Sequence, residues 1–444
     1  MKHTKGYLSG RFDDRSNASA PNRRFGSRIG IPLLLVICNL ALHSVPVQGG
    51  DLESTAGSSL AQPVGPVSSK YAVLPVNQTL TPAGQQVELP DMRPQVICLS
   101  PDGRLLATSG KTPELVIIDP STCRILERVP FPSESAKEPA PGSVSSQILE
   151  PDKAGQVSYT GLVFSPDGKR IYLSNVNGSL KVFGVTPDHR VSSLYSIPLP
   201  DTGLASRKRE IPAGLAFSPD GKRLYVVLNL SNRLLEMDAA SGKPLRTFDV
   251  GIAPYQVVLV GGKAYVSNWG GRRPDAGSVT SLAGLGVRVR VDPVRFIANE
   301  GSVSVIDLKS GQVTREIIVG LHSSGMALSP VGRHLVVANA GSDTLSVIDT
   351  RQDSVVETIP VRWSRHDLFG ASPNALVFAP SGNTVYVCNG TQNALAVVSF
   401  QPGHSQLRGL IPTGWFPGAI ACDGRRNTLC VANIKGIGSW KQYG

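Results

Sequence analysis

The chain of 444 residues carries a formal net charge of +11, with 46 glycines and 34 prolines. Seven basic and two acidic side chains lie in residues 1–28, so the remainder carries only about +6. That remainder has no dense basic stripe with interleaved aromatic residues, which argues against a nucleic-acid-binding protein. The abundant turn residues, and the lack of long stretches with helical periodicity, favour one large all-β domain.

The N-terminal residues 1–49 have the pattern of a secretory signal. Basic side chains are scattered over residues 2–28, a mostly apolar run covers residues 31–42, and small residues such as Ser44 and Gly49 follow. The apolar run is short for a membrane span, so we expect a signal peptide and a periplasmic or secreted protein. An uncleaved signal anchor in the inner membrane is the alternative. Residues 50–83 are rich in Ser, Pro, Gly and Gln, and we predict a flexible leader there.

One sequence motif, called the phrase below, recurs through residues 84–444. It consists of a short apolar run, a turn that contains glycine, and a second apolar run. Proline presets φ, aspartate bonds to the turn backbone and glycine accepts positive φ, so Pro-Asp-Gly in this setting predicts a β-hairpin. Copies lie at residues 96–110, 161–175, 214–229, 257–268, 326–339, 376–389 and 419–433.

Third and fourth apolar runs follow most copies, as in SVSVID up to Asp307 and VTREIIVG up to Gly320. Four antiparallel strands at a period of about 43 residues indicate β-propeller blades. We therefore predict an all-β, seven-bladed β-propeller of four-stranded antiparallel blades over residues 84–444. Residues 84–90 are predicted as the fourth strand of the last blade, which closes the ring. That blade is predicted to be incomplete, because no third strand follows Asn433.

Long inserts are predicted on one face of the disc. The second-to-third loops and the connections between blades share a face, because successive strands are antiparallel. The inserts at residues 131–159, 201–212, 269–300 and 362–373 all fall there. Loops that grow on one face indicate a functional surface. The alternative is a face that merely tolerates insertion.

This face gathers tryptophan, arginine and histidine, the first two of which are common in interfaces and anion sites. The predicted ligand-binding or partner-binding residues are Trp269, Arg272, Arg273, His322, Trp363, Arg365, His366 and Trp415. The alternative is a set of solvated loops with tryptophans tucked beneath them. No two histidines have metal-ligand spacing, and GxSxG, P-loop and HExxH motifs are missing. We therefore expect no metal, no cofactor and no catalytic residue.

The cysteines show no CxxC spacing. Cys98 and Cys388 lie in strand runs, where a buried free thiol is expected. Cys422 and Cys430 flank one hairpin turn, so they could form a disulfide in an oxidising compartment or pack as two free thiols.

The copies LYVVLN, AYVSNWG, LVVANAG and VYVCNG, followed by LSVID, resemble the YVTN-type (YncE-like) β-propeller repeat over residues 84–439. The stretch TLTPAGQQVELPDMRPQ, the SPDG turns and VANIKGIGS look closest to one subgroup of bacterial exported proteins. In that subgroup a YncE-like propeller precedes an alkaline-phosphatase-type phosphoesterase domain, and the last blade is completed after VANIKGIGS. This chain stops at Gly444, so the resemblance supplies no catalytic residue.

Together these features predict an exported, non-enzymatic binding or scaffold module, the N-terminal half of a propeller–phosphoesterase protein. We expect its insert-bearing face to dock the phosphoesterase domain, another protein or a small anionic ligand. The alternatives are a lactonase-like hydrolase, since lactonases share propeller architecture, and a stand-alone cell-envelope interaction protein. No nucleic acid is expected as a partner, and a membrane only through an uncleaved signal.

Overall fold

The computed structural model describes residues 64–68, 71–75, 78–137, 151–284, 286–364, 366 and 370–436. The predicted signal segment, residues 1–49, and the predicted site residue Arg365 lie outside this part of the chain. The first described elements fall in the range predicted as a leader and form a three-stranded antiparallel sheet. Its strands are β1 (Gly65–Ser68), β2 (Tyr71–Val73) and β3 (Thr79–Leu80).

Six four-stranded antiparallel sheets, the blades, follow along the chain. Blade 1 consists of β4 (Val96–Leu99), β5 (Leu106–Ser109), β6 (Glu114–Asp119) and β7 (Arg124–Pro130). Blade 2 consists of β8 (Val157–Phe164), β9 (Arg170–Asn175), β10 (Ser179–Val185) and β11 (Val191–Pro198). Blade 3 consists of β12 (Pro212–Phe217), β13 (Arg223–Leu228), β14 (Arg233–Asp238) and β15 (Pro244–Asp249).

Blade 4 carries an extra hairpin, β18–β19, between its second and third strands. Blade 4 consists of β16 (Pro254–Val260), β17 (Lys263–Asn268), β20 (Gly301–Asp307) and β21 (Gln312–Val319), and its hairpin of β18 (Thr280–Leu282) and β19 (Arg288–Arg290). Blade 5 consists of β22 (Ser323–Leu328), β23 (His334–Asn339), β24 (Thr344–Asp349) and β25 (Ser354–Pro360). Blade 6 consists of β26 (Pro373–Phe378), β27 (Thr384–Asn389), β28 (Ala394–Ser399) and β29 (Gln406–Pro412). A two-stranded sheet of β30 (Pro417–Asp423) and β31 (Thr428–Asn433) comes last.

The Ser-Pro-Asp-Gly turns join the first and second strands of the blades through local hydrogen bonds. The Ser165 hydroxyl donates to Asp167 Oδ1 (2.6 Å), and the same carboxylate oxygen accepts the Lys169 N–H (3.1 Å). Gly168 has φ +71°, a conformation that costs glycine nothing. The same bonds recur at Ser100–Asp102 and Ser218–Asp220. Because these hydrogen bonds are local, the hairpins can be predicted from the sequence.

The first strand of each blade lies innermost, around the axis of the propeller. Successive first strands contact one another from β4 to β8, β12, β16, β22 and β26, then β30, and β30 contacts β4. Apolar cores fill the spaces between the sheets of neighbouring blades, as with Ile117 and Leu173 in one cluster and Val347 and Val387 in another. Burying these β-branched and aliphatic side chains between sheets is the main stabilising contribution to the ring.

The prediction of seven four-stranded blades is wrong, because the structure has six. The last copy of the phrase forms only the two-stranded sheet β30–β31, which lies between blades 6 and 1. Residues 84–90, predicted as a fourth strand, adopt no strand conformation. A fourth strand pairs with a third, and β31 has no third strand beside it within the described residues. Val87 and Leu89 instead pack against the core of blade 1 together with Cys430.

Candidate functional site

The looped face is the side of the propeller that carries the second-to-third loops and the connections between blades. The observed strand order, one to four across each antiparallel blade, places on this face the described residues 131–137, 151–156, 199–211, 269–284, 286–300, 361–364, 366 and 370–372. In the described part of the chain, no helix is long and apolar enough to cross a membrane.

An aromatic cluster lies at the centre of the looped face. The Trp269 ring stacks on Tyr255 (centroids 4.5 Å apart), and His322 lies against Trp269 at 4.6 Å. Tyr159 meets Trp269 edge-on at 5.0 Å and Tyr255 at 5.8 Å. Tyr159 and Tyr255 come from blades 2 and 4, which are not neighbours, so their contact places the cluster close to the axis of the ring.

A repeated backbone bridge positions two members of this cluster. The Trp269 N–H donates to the Ala253 carbonyl (3.1 Å), and the Ala340 N–H donates to the His322 carbonyl (3.1 Å). Each bridge ties the end of a second strand to the residue that leads into the first strand of the same blade. Ala253 and His322 have φ values of +52° and +55°, which turn the chain into the innermost strand. The same device in blades 4 and 5 therefore brings Trp269 and His322 together.

The side chains of the cluster are partly accessible to solvent, yet their ionisable groups are largely surrounded by protein. His322 is exposed, and Tyr159, Tyr255 and Trp269 are half-buried. Burial nevertheless raises the pKa of both tyrosines and lowers the pKa of His322. The positive charge of Arg207 opposes the rise in the pKa of Tyr159. Burial of an ionisable side chain disfavours its charged form, so all four rings are uncharged near neutral pH.

The Trp269 indole N–H is an unused hydrogen-bond donor. Its Nε1 is buried and has no hydrogen-bond partner among the described residues. An indole N–H is a donor only, so a carbonyl, hydroxyl or carboxylate oxygen is what it can bind.

Arg272 and Arg273 hold the loops together. Arg272 binds both carboxylate oxygens of Glu300, at 3.2 and 2.8 Å. Arg273 donates to the Val250 and Asn232 carbonyls, at 2.7 and 2.6 Å. These guanidinium groups are already satisfied, so they offer an incoming anion little uncompensated charge.

Trp363 lies apart from the aromatic cluster, in a groove between the outermost strands of blades 5 and 6. It is 60% exposed and lines a cavity of about 360 Å³. The cavity is lined by Ile359, Pro360, Arg362, Trp363, Ser405, Gln406 and Leu407. His366 is exposed, and its backbone N–H donates to the Ser364 hydroxyl at 3.1 Å.

Trp415 lies two residues before β30 of the two-stranded sheet, apart from the cluster. Lys435 Nζ stands 4.9 Å from the centre of its ring, and the Lys435 N–H donates to the Trp415 carbonyl at 3.0 Å. Of the predicted site residues, the structure therefore brings Trp269 and His322 into contact and keeps Arg272 and Arg273 nearby in sequence. It shows no contact between these four and Trp363, His366 or Trp415 in the described residues.

Tyr159 and Tyr255 were missed by the sequence reasoning. Each lies shortly after the bridge residue of its own blade, the one that corresponds to His322: Tyr255 follows Ala253 by two residues, and Tyr159 follows Gln156 by three. Aromatic residues at that point were the available signal, although their contact across blade 3 is not visible in a linear pattern.

The described residues contain no group of three His, Cys, Asp or Glu side chains that could hold a metal ion. Cys422 and Cys430 are free thiols. They lie on opposite faces of the hairpin, because Cys430 pairs with Ala421 and Cys422 with Leu429.

Solved structures similar to this chain are β-propellers. A chain of Kuenenia stuttgartiensis hydrazine synthase matches with a TM-score of 0.55 and 16% identity, covering 79% of this chain and 98% of its own. A structure of U3-55K (TM-score 0.57, 11% identity) covers 80% and 93%, and the WD40 repeats of RRP9 (0.57, 12%) cover 80% and 92%. At these identities the likeness establishes the fold alone. No protein-family model and no curated protein matches the sequence.

Proposed function

We propose that this β-propeller is a binding module whose looped face docks a folded partner protein. The observation that carries the proposal is the convergence of Tyr159, Tyr255, Trp269 and His322 from three blades at the centre of that face. Large, stiff aromatic groups at the centre of a surface are typical of protein-binding hot spots.

The charges on this face favour a protein over a small anion. Arg272 pairs with Glu300, Arg290 with Asp275 and Arg273 with Asp249. An anion site needs donors that are free to turn toward the ligand, whereas a protein interface tolerates internally paired arginines at its rim.

The finer part of the proposal rests on the resemblance to YncE-like propellers. We propose that the chain is exported and that its partner is an alkaline-phosphatase-type phosphoesterase domain. In this arrangement the propeller positions the hydrolase and takes no part in its chemistry. The SPDG turns, the VYVCN-type strands and VANIKGIGS support this reading.

Isothermal titration of the purified chain with such a phosphoesterase domain tests the proposal. His322→Asn removes the imidazole and keeps a residue that tolerates φ +55°. We expect at least about tenfold weaker binding of this variant, as for loss of a hot-spot side chain. Val331→Ser is the matched control, because Val331 is exposed on the opposite face in the turn between β22 and β23.

Equal affinity of the wild type and His322→Asn would remove the cluster from the interface. A lack of any binding heat would remove the phosphoesterase as the partner. A parallel titration with inorganic phosphate covers the anionic-ligand alternative, which saturable binding would support.

A further inference from the structure

The insert of blade 4 carries an exposed apolar patch. Its hairpin and following turn expose five large apolar residues, each between 43% and 82% accessible to solvent. They are Val279, Leu282, Val294, Phe296 and Ile297. Every residue from 293 to 299 is exposed. Single exposed apolar residues are ordinary, but five within one short insert need a reason. Val279 falls on the side of the buried Val289 and Val291 by alternation, so the patch consists of Leu282 and, in the following turn, Val294, Phe296 and Ile297.

The patch stands on a fixed base. Val289 and Val291 on one side of the hairpin are buried and pack with Ile252 of the blade. Side chains alternate along a strand, so Leu282 and its cross-strand partner Arg288 share the outward side. The insert is therefore amphipathic, with one side anchored to the propeller and an apolar, basic side turned to solvent.

The cations beside the patch lack a carboxylate partner. Arg288 and Arg295 form no ion pair with the described residues, whereas Arg290 in the same insert pairs with Asp275 at 2.8 Å. In this part of the chain Arg288 donates only to the hydroxyl and carbonyl of Thr280, at 2.8 and 3.2 Å, which leaves its charge uncompensated. The nearest acid in sequence, Asp292, accepts two backbone N–H groups of its own turn. The outward side thus combines apolar side chains with unpaired positive charge.

We infer that the described residues 279–284 and 286–297 form a membrane-contact element that binds the surface of a bilayer containing anionic lipid. Valine, leucine, isoleucine and phenylalanine enter the boundary between headgroups and acyl chains, and the guanidinium groups of Arg288 and Arg295 bind lipid phosphates. A stable protein interface covers about 800 Å² on each partner and centres on Trp, Tyr and Arg. A narrow, mainly aliphatic tip matches a lipid surface better. The inference does not depend on the proposed partner protein.

Vesicle flotation of the full chain tests the inference. One set of vesicles is phosphatidylcholine alone, and the other contains phosphatidylglycerol as well. We expect binding to the anionic vesicles that weakens as salt rises. Phe296→Asp combined with Ile297→Asp should lower the partition coefficient at least about tenfold, and aspartate tolerates the φ of +57° at position 296. Arg295→Gln should lower binding to anionic vesicles only.

Val331→Asp is the matched control, since Val331 is 85% accessible and lies on the opposite face. It should bind vesicles like the wild type. The apolar run at residues 31–42 is present in every variant, so each variant is compared with the wild type at the same lipid concentration. The inference is overturned if the wild type fails to float with anionic vesicles, or if Phe296→Asp/Ile297→Asp floats equally well. It is also overturned if the same variant instead abolishes a dimer seen by sedimentation velocity without lipid, because a second copy would then cover the patch.

Discussion

Trp269 of blade 4 lies against His322 of blade 5, with their ring centroids 4.6 Å apart. The contact follows from the repeat, because the backbone bridge of blade 4 fixes the end of its second strand at Trp269, and the same bridge in blade 5 fixes the entry to its first strand at His322. The backbone bridge occurs in several blades, but it produces an aromatic contact only where the sequence places aromatic residues beside it.

The first prediction concerns the protonation of His322. Burial lowers the pKa of the imidazole in the folded protein, so the unfolded chain binds a proton at higher pH than the folded one. Stability should therefore fall as pH drops through the ordinary histidine pKa of about 6.5. His322→Asn should flatten the dependence of the unfolding free energy on pH between about 5 and 7.

NMR titration of the His322 ring provides the direct measurement. An apparent pKa at or above the ordinary histidine value would show that the cluster does not desolvate the ring.

The second prediction concerns Lys181, which is buried and anchors the insert between blades 1 and 2. Its Nζ binds Asp152 (2.9 Å), Glu134 (3.0 Å) and the Pro132 carbonyl (2.8 Å). Lys181→Met leaves these acceptors without their cation and should lower the unfolding free energy by about 3–5 kcal/mol. Urea denaturation measures the loss.

The pair Arg190–Glu127, whose arginine is exposed to solvent, supplies the comparison. Arg190→Met should cost no more than about 1 kcal/mol. Similar losses for both variants would mean that burial adds nothing to the Lys181 network.

The third prediction concerns Gly161, where blades 2 and 3 approach closely. A methyl group there would overlap the Ser174 hydroxyl and the Ala213 carbonyl oxygen. Gly161→Ala should therefore destabilise the protein by about 1–3 kcal/mol through overpacking. Gly409→Ala is the control, because a Cβ at this outer-strand glycine meets nothing within 4 Å. If both variants melt at the same temperature, the close approach does not limit the packing.

Local chemistry made much of this fold predictable. Ser165, Asp167 and Gly168 close their hairpin with interactions inside one short turn. Each copy of the phrase therefore predicts a hairpin without reference to the rest of the chain. The four-stranded blades follow from the regular succession of such units.

Closure of the ring was less predictable, because it depends on contacts between distant parts of the chain. Val87 and Leu89 have the alternation of a strand, yet they pack as irregular chain against blade 1, since the described residues contain no third strand beside β31 with which they could pair. The contact of Tyr159 with Tyr255 likewise depends on how blades 2 and 4 converge at the axis. Arg272 looked available in the sequence, and only the fold shows Glu300 beside it.

The most direct test of the account is hydrogen exchange of the propeller, measured by mass spectrometry with and without an alkaline-phosphatase-type phosphoesterase domain. We predict slower exchange of the amides around Tyr255, Trp269 and His322 in the complex, with no change in the Ser-Pro-Asp-Gly turns. Protection confined to those turns, on the opposite face, would contradict the account.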